Sequence, residues 1–172
     1  MFRRLRLQFI TIASLAILFI LVFTVGIINT VRSFQTEQEI SKVLNTLTEN
    51  NGSFGKIKKI ETNQGREIPS DSFRFFSLTL SDDKVVSQDT SHTSLINDEE
   101  AARYALTVSR LTNNLGTIRE KNINLSYQVS KVSKDKILVV FLDTSSYYNS
   151  SQALFSLSIL LSLFAFIFFV VI

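Results

Sequence analysis

Residues 153–172 read ALFSLSILLSLFAFIFFVVI, a run with three serines, no charge and no proline. A helix rises about 1.5 Å per residue, so this run covers about 30 Å, the hydrocarbon thickness of a bilayer. Lipid offers the backbone no hydrogen-bond partner, and a helix satisfies its own. The stretch therefore predicts a transmembrane helix, and the rest of the chain divides around it. It reaches Ile172 without the Lys/Arg cluster that usually follows a helix entering the cytoplasm. The expectation is that a cytoplasmic region belongs beyond it.

A second apolar run, Leu7–Ile28, follows a basic tail, Met1–Arg6. A signal peptide has an apolar core of about 7–15 residues and a small-residue cleavage site. This run is longer, and Gly26-Ile27-Ile28-Asn29 matches such a site poorly, so length favours an uncleaved anchor. Arg3, Arg4 and Arg6 account for the whole net charge of +3. The other 15 Lys and Arg and all 15 Asp and Glu lie in residues 29–152, leaving that stretch neutral. Basic residues stay on the cytoplasmic side of a membrane. The division is then a cytoplasmic tail (1–6), a first span (7–28), an extracellular domain (29–152) and a second span (153–172).

The surplus of charge is thus an orientation signal. No basic helix and no aromatic–basic interleaving supports nucleic acid as a partner. The chain has no cysteine, which excludes disulfides and thiolate metal sites, and its single histidine excludes zinc sites built from several imidazoles. A carboxylate-bound metal stays open. A domain of about 120 residues buries a core without such staples.

Within the outer domain, Val31, Phe34, Ile40, Val43, Leu44 and Leu47 recur at helical spacing, so the first span continues as a helix to Asn50. Asn51-Gly52 is its stop signal. Phe54–Ser72, with Lys56, Lys58, Lys59, Gly65 and Pro69, reads as a short edge strand plus a loop. Those lysines suit a solvated edge that discourages strand pairing better than a ligand patch. From Phe73 the period becomes two: Phe76, Leu78 and Leu80 face one way, Phe73, Phe75 and Ser77 the other. Ser81-Asp82-Asp83-Lys84 is a turn and Val85–Gln88 a returning strand. Asn97 and Glu100 form a capping box for a helix whose face is Ala101, Tyr104, Ala105, Val108 and Leu111, ending at Asn113-Asn114. Three strands follow: Leu115–Glu120, an alternating strand through Ile123, Leu125, Tyr127 and Val129, and the continuous apolar run Ile137–Leu142. Tyr147-Tyr148 fit an interfacial aromatic belt. The class is α+β, an antiparallel sheet of about five strands with flanking helices between two transmembrane helices. This element order resembles the PAS-like sensor domains of bacterial receptors.

The chain also resembles the input half of two-span sensor histidine kinases of Gram-positive bacteria. The similarity runs through Phe75-Phe76-Ser77-Leu78-Thr79-Leu80, Val85 to His92, Glu99 to Leu106, and Val140-Phe141-Leu142-Asp143-Thr144-Ser145. The resemblance implies a linker of HAMP type after the second span, then a helix bearing the phosphoacceptor histidine, then an ATP-binding domain. It also implies a response regulator as partner, reached through that cytoplasmic region. ATP and Mg would belong there, and no cofactor is expected in the present chain. His92 lies in Thr90-Ser91-His92-Thr93, which is no phosphoacceptor box, and the five glycines form no nucleotide loop. No nucleophile–base–acid set can be built around one histidine.

Three places are candidate sites. Asp89, Ser91 and His92 follow a strand and form a candidate ligand loop, with His92 able to titrate near neutral pH; side-chain hydrogen bonds organising the turn explain the same residues. Asp143 ends the buried strand on the path to the membrane and is a candidate for signal coupling, or serves its own backbone. Ser158 and Ser162, with Ala165, form a small-residue strip on the second span, and Ala13 and Ala16 offer one on the first. These support helix pairing and a homodimer in the bilayer. The expected function is signal input at the bacterial cell membrane. The alternatives are a receptor of different output and a small two-span envelope protein.

Overall fold

The computed structural model describes residues 2–62, 65–120 and 123–171. Met1 and Ile172, with the side chains of Arg3 and Arg6 in the basic tail, lie outside this description. The elements run α1 (Phe2–Glu49), β1 (Lys59–Glu61), β2 (Glu67–Pro69), a 3-10 turn (Ser70–Ser72), β3 (Phe75–Ser81), β4 (Lys84–Asp89), α2 (Asp98–Ser109), β5 (Leu115–Glu120), β6 (Ile123–Ser133), β7 (Lys136–Asp143) and α3 (Ser145–Val171). Their contacts separate two units, Met1–Gln35 with Tyr147–Ile172, and Thr36–Ser146.

The class is α+β, with a five-stranded antiparallel sheet in the order β4-β3-β7-β6-β5. The strand made last, β7, is central and buried on both faces, which is why its sequence does not alternate. Phe76, Leu78 and Leu80 of β3, with Val139 and Phe141 of β7, pack with Ala101, Ala105 and Val108 of α2. Phe76 and Phe141 are register partners whose rings stack at 4.6 Å. On the opposite face, Ser77 and Leu138 lie close against Gly52, and Gln128 of β6 donates to Asn45 of α1 at 2.8 Å. The end of α1 therefore covers that face, burying Ile40, Val43, Leu44 and Leu47.

Local chemistry explains the boundaries. Gly52 N–H bonds to Leu47 O (2.8 Å) and Asn51 N–H to Thr48 O (3.2 Å), the paired bonds of a Schellman end. Asn51 takes the first left-handed position (φ 54°) and Gly52 follows at φ 86°. The β3–β4 hairpin turns on Asp82 and Asp83, both at positive φ as a two-residue primed turn requires. The capping box of α2 is formed: Asn97 Oδ1 accepts from Glu100 N–H at 2.8 Å, and Glu100 Oε2 accepts from Asn97 N–H at 3.5 Å.

Three sequence expectations change. The lysine-bearing segment does not edge the large sheet: β1 and β2 form a separate two-stranded ribbon, with Lys59 paired to Glu67. Leu111 lies past the end of α2 and is exposed, because the helix stops at Ser109 and Arg110 caps it. Val31 and Phe34 are exposed and do not join the core face that begins at Ile40.

Both α1 and α3 contain segments long and apolar enough to cross a membrane, one of them near the N-terminus. Apolar side chains there stand outward, among them Phe19 and Leu161.

Candidate functional site

The loop after β4 is built from its own side chains. Asp89 Oδ1 accepts from both the N–H (3.0 Å) and the hydroxyl (2.6 Å) of Ser91. The Ser91 hydroxyl bond, then its backbone bond, hold the Asp89 carboxyl below its ordinary value. Thr90 Oγ1 donates to Asp98 Oδ1 at 2.8 Å, and Gln88 Nε2 to the Asp98 carbonyl at 3.3 Å, so the loop is tied to the first turn of α2. Asp89 and Ser91 are thus brought together. His92 turns away from this bond and stacks on Phe75 at 4.5 Å. Phe75 is buried and meets Phe54 edge-on at 5.0 Å, and Phe54 meets Phe73 at 5.6 Å. His92 is itself exposed, an imidazole lid on an aromatic cluster. Among the described residues no three His, Asp or Glu side chains converge to hold a metal.

A second polar constellation surrounds the junction of β7 and α3, where only Thr144 intervenes. Thr144 is fully buried. Its N–H and hydroxyl both donate to Asn124 O, at 2.8 and 3.0 Å. Its hydroxyl lies 3.2 Å from that of Ser126, which lies 3.2 Å from that of Thr117. Three hydroxyls therefore run from the junction through β6 to β5. Asn124 N–H also donates to the Ser145 hydroxyl at 3.0 Å, so the first residue of α3 is bonded to β6. Asp143 lies at this place: its N–H reaches Arg74 O (2.8 Å) and its Oδ1 accepts from Ser145 N–H (2.9 Å). Asp143 was legible from the sequence, but Thr117, Asn124, Ser126 and Thr144 were not. A conserved spacing of hydroxyls does not exist along the chain; only strand register brings them into line.

Opposite, Tyr104 of α2 donates to Glu120 of β5 at 2.6 Å, with the Arg103 guanidinium 5.1 Å over its ring. Burial, then the bond to Glu120, raise the Tyr104 phenol above its ordinary value.

In the unit of long apolar segments, Ser158 and Ser162 face α1. Ser158 lines a notch with Asn29 and Arg32, and Ser162 a larger cleft with Leu18 and Gly26. Ser158 also donates to Leu154 O at 2.9 Å, which satisfies its hydroxyl within the helix.

No protein-family model and no curated protein matches this chain.

Proposed function

We propose that this chain is the membrane-anchored, extracellular signal-input module of a sensor histidine kinase. Residues 29–152 are its PAS-like domain outside the cell and residues 1–6 lie in the cytoplasm. The observation that supports it most is the joint at Thr144. The central strand of the sheet passes into an apolar helix through one buried residue that hydrogen-bonds two neighbouring strands. A shift of β7 against β6 is then delivered to the second span with little slack, biasing two states of a cytoplasmic kinase. Asp89, Ser91 and His92 are the stimulus-facing loop of this reading, and Asp143 with the Ser158 and Ser162 strip its coupling elements. The module acts as a homodimer and reaches a response regulator through the cytoplasmic region, where ATP and Mg are used.

The reading is tested by the reading frame after the Ile172 codon. A basic helical linker followed by a histidine-bearing helix and an ATP-binding domain supports it. A stop codon there rejects the kinase and leaves an envelope protein. Cysteines placed along residues 154–168 supply the mechanistic test, since their cross-linking between protomers must change with signalling state.

A further inference from the structure

The unit formed by Met1–Gln35 and Tyr147–Ile172 holds two adjoining clefts between α1 and α3. The larger has a volume of about 420 Å³ and is walled by apolar side chains, with Leu18, Val25 and Gly26 on one helix and Phe155, Ser162 and Phe166 on the other. An apolar space of about 150 Å³ already holds a benzene ring. The smaller is a notch of about 10 Å³ lined by Asn29, Arg32, Ser151 and Ser158. Val25 and Phe155 line both, so notch and cleft are continuous.

We infer that this continuous cleft is a binding site for one anionic glycerophospholipid, its phosphate on Arg32 at the mouth and an acyl chain in the apolar part. Dimensions carry the first part of the argument. Arg32 and Leu18 mark its two ends, about 21 Å apart along α1. One leaflet, headgroup included, is about 20–22 Å deep. The site therefore spans one leaflet, from headgroup level to the midplane. Charge carries the second part. Arg32 is the one charged residue lining either cleft, it is exposed, and among the described residues it has no ion-pair partner. A guanidinium matches a phosphate with two parallel donors, and Asn29 and Ser151 beside it add polar groups. A helix from a second copy offers the apolar part a fit but brings Arg32 no anion. Gly26 carries the third part: a side chain added there meets nothing within 4 Å, so the wall opposite the acyl chain is left open.

The inference rests on reading α1 and α3 as membrane spans. Its test is native mass spectrometry of the detergent-purified chain, titrated with dioleoyl phosphatidylglycerol or dioleoyl phosphatidylcholine. One phosphatidylglycerol is retained, with at least fivefold preference over phosphatidylcholine. Arg32→Gln reduces that preference to within twofold, and Arg32→Lys keeps most of it. Gly26→Leu fills the cleft and weakens both lipids at least fivefold; if that variant fails to insert, the Arg32 pair decides. Equal retention of both lipids by the wild type, or an unchanged preference in Arg32→Gln, overturns the site. So does a dimer that fills the cleft and excludes lipid. A chain recovered in the soluble fraction without detergent overturns the membrane reading and the site together, which separates the two failures.

Discussion

At the scale of single residues, two positions have a sharp expected response. A Cβ built on Gly116 stands 2.6 Å from the Tyr127 hydroxyl, its cross-strand partner, so the glycine exists to let that ring lie across β5. Gly116→Ala pushes a buried ring out of place and lowers stability by about 1–3 kcal/mol, seen in thermal melts of the purified chain. Asp89 makes a different prediction. Its carboxyl is lowered in the fold by Ser91, so the folded state holds fewer protons than the unfolded one in that range. The stability it contributes is present above the ordinary value of 3.8 and is lost as pH falls through the lowered folded value. In Ser91→Ala, carboxyl titration by NMR moves the Asp89 midpoint back up toward 3.8. A midpoint unmoved by that change rejects the assignment. The sequence exposed Asp89 and Ser91 because an Asp two residues before a Ser is turn chemistry on its own. It did not expose the His92–Phe75 stack, which joins residues that are neither adjacent nor periodic.

At the scale of elements, helix α2 depends on its cap. Asn97→Ala removes the acceptor for the Glu100 N–H and costs about 1 kcal/mol, read from denaturant midpoints. The β7–α3 joint responds differently. Thr144→Val keeps the volume and the N–H to Asn124 O, but deletes the hydroxyl between Asn124 and Ser126. It is expected to cost about 1 kcal/mol and, under the signalling proposal, to weaken transmission without altering stimulus binding. Elements with strong internal logic were legible in advance: the alternation from Phe73 to Leu80, the uninterrupted Ile137–Leu142, and the Asn97–Glu100 box. The ribbon β1–β2 was not, since three-residue strands carry too few side chains to show a period. The end of α2 was overrun because Leu111 keeps helical spacing after the backbone has already turned.

For the whole molecule, a chain without cysteine invites a topology experiment with no background. Ser94→Cys, at an exposed loop position, is expected to react with a membrane-impermeant maleimide on intact cells. Protection there, relieved only by lysis, reverses the proposed orientation. The central place of β7 has a further consequence, for biogenesis. Strand β3 finds its partner only after most of the chain has been synthesised, since Phe75 pairs with Leu142. Until then the β3–β4 and β5–β6 hairpins wait with open edges, the state most prone to aggregation. Because Ser145 begins α3 one residue after the junction, closure of the sheet and insertion of that helix compete for the same stretch of chain at the same moment. The order in which secretion machinery releases residues 136–145 thus decides whether this domain matures or is handed to proteases.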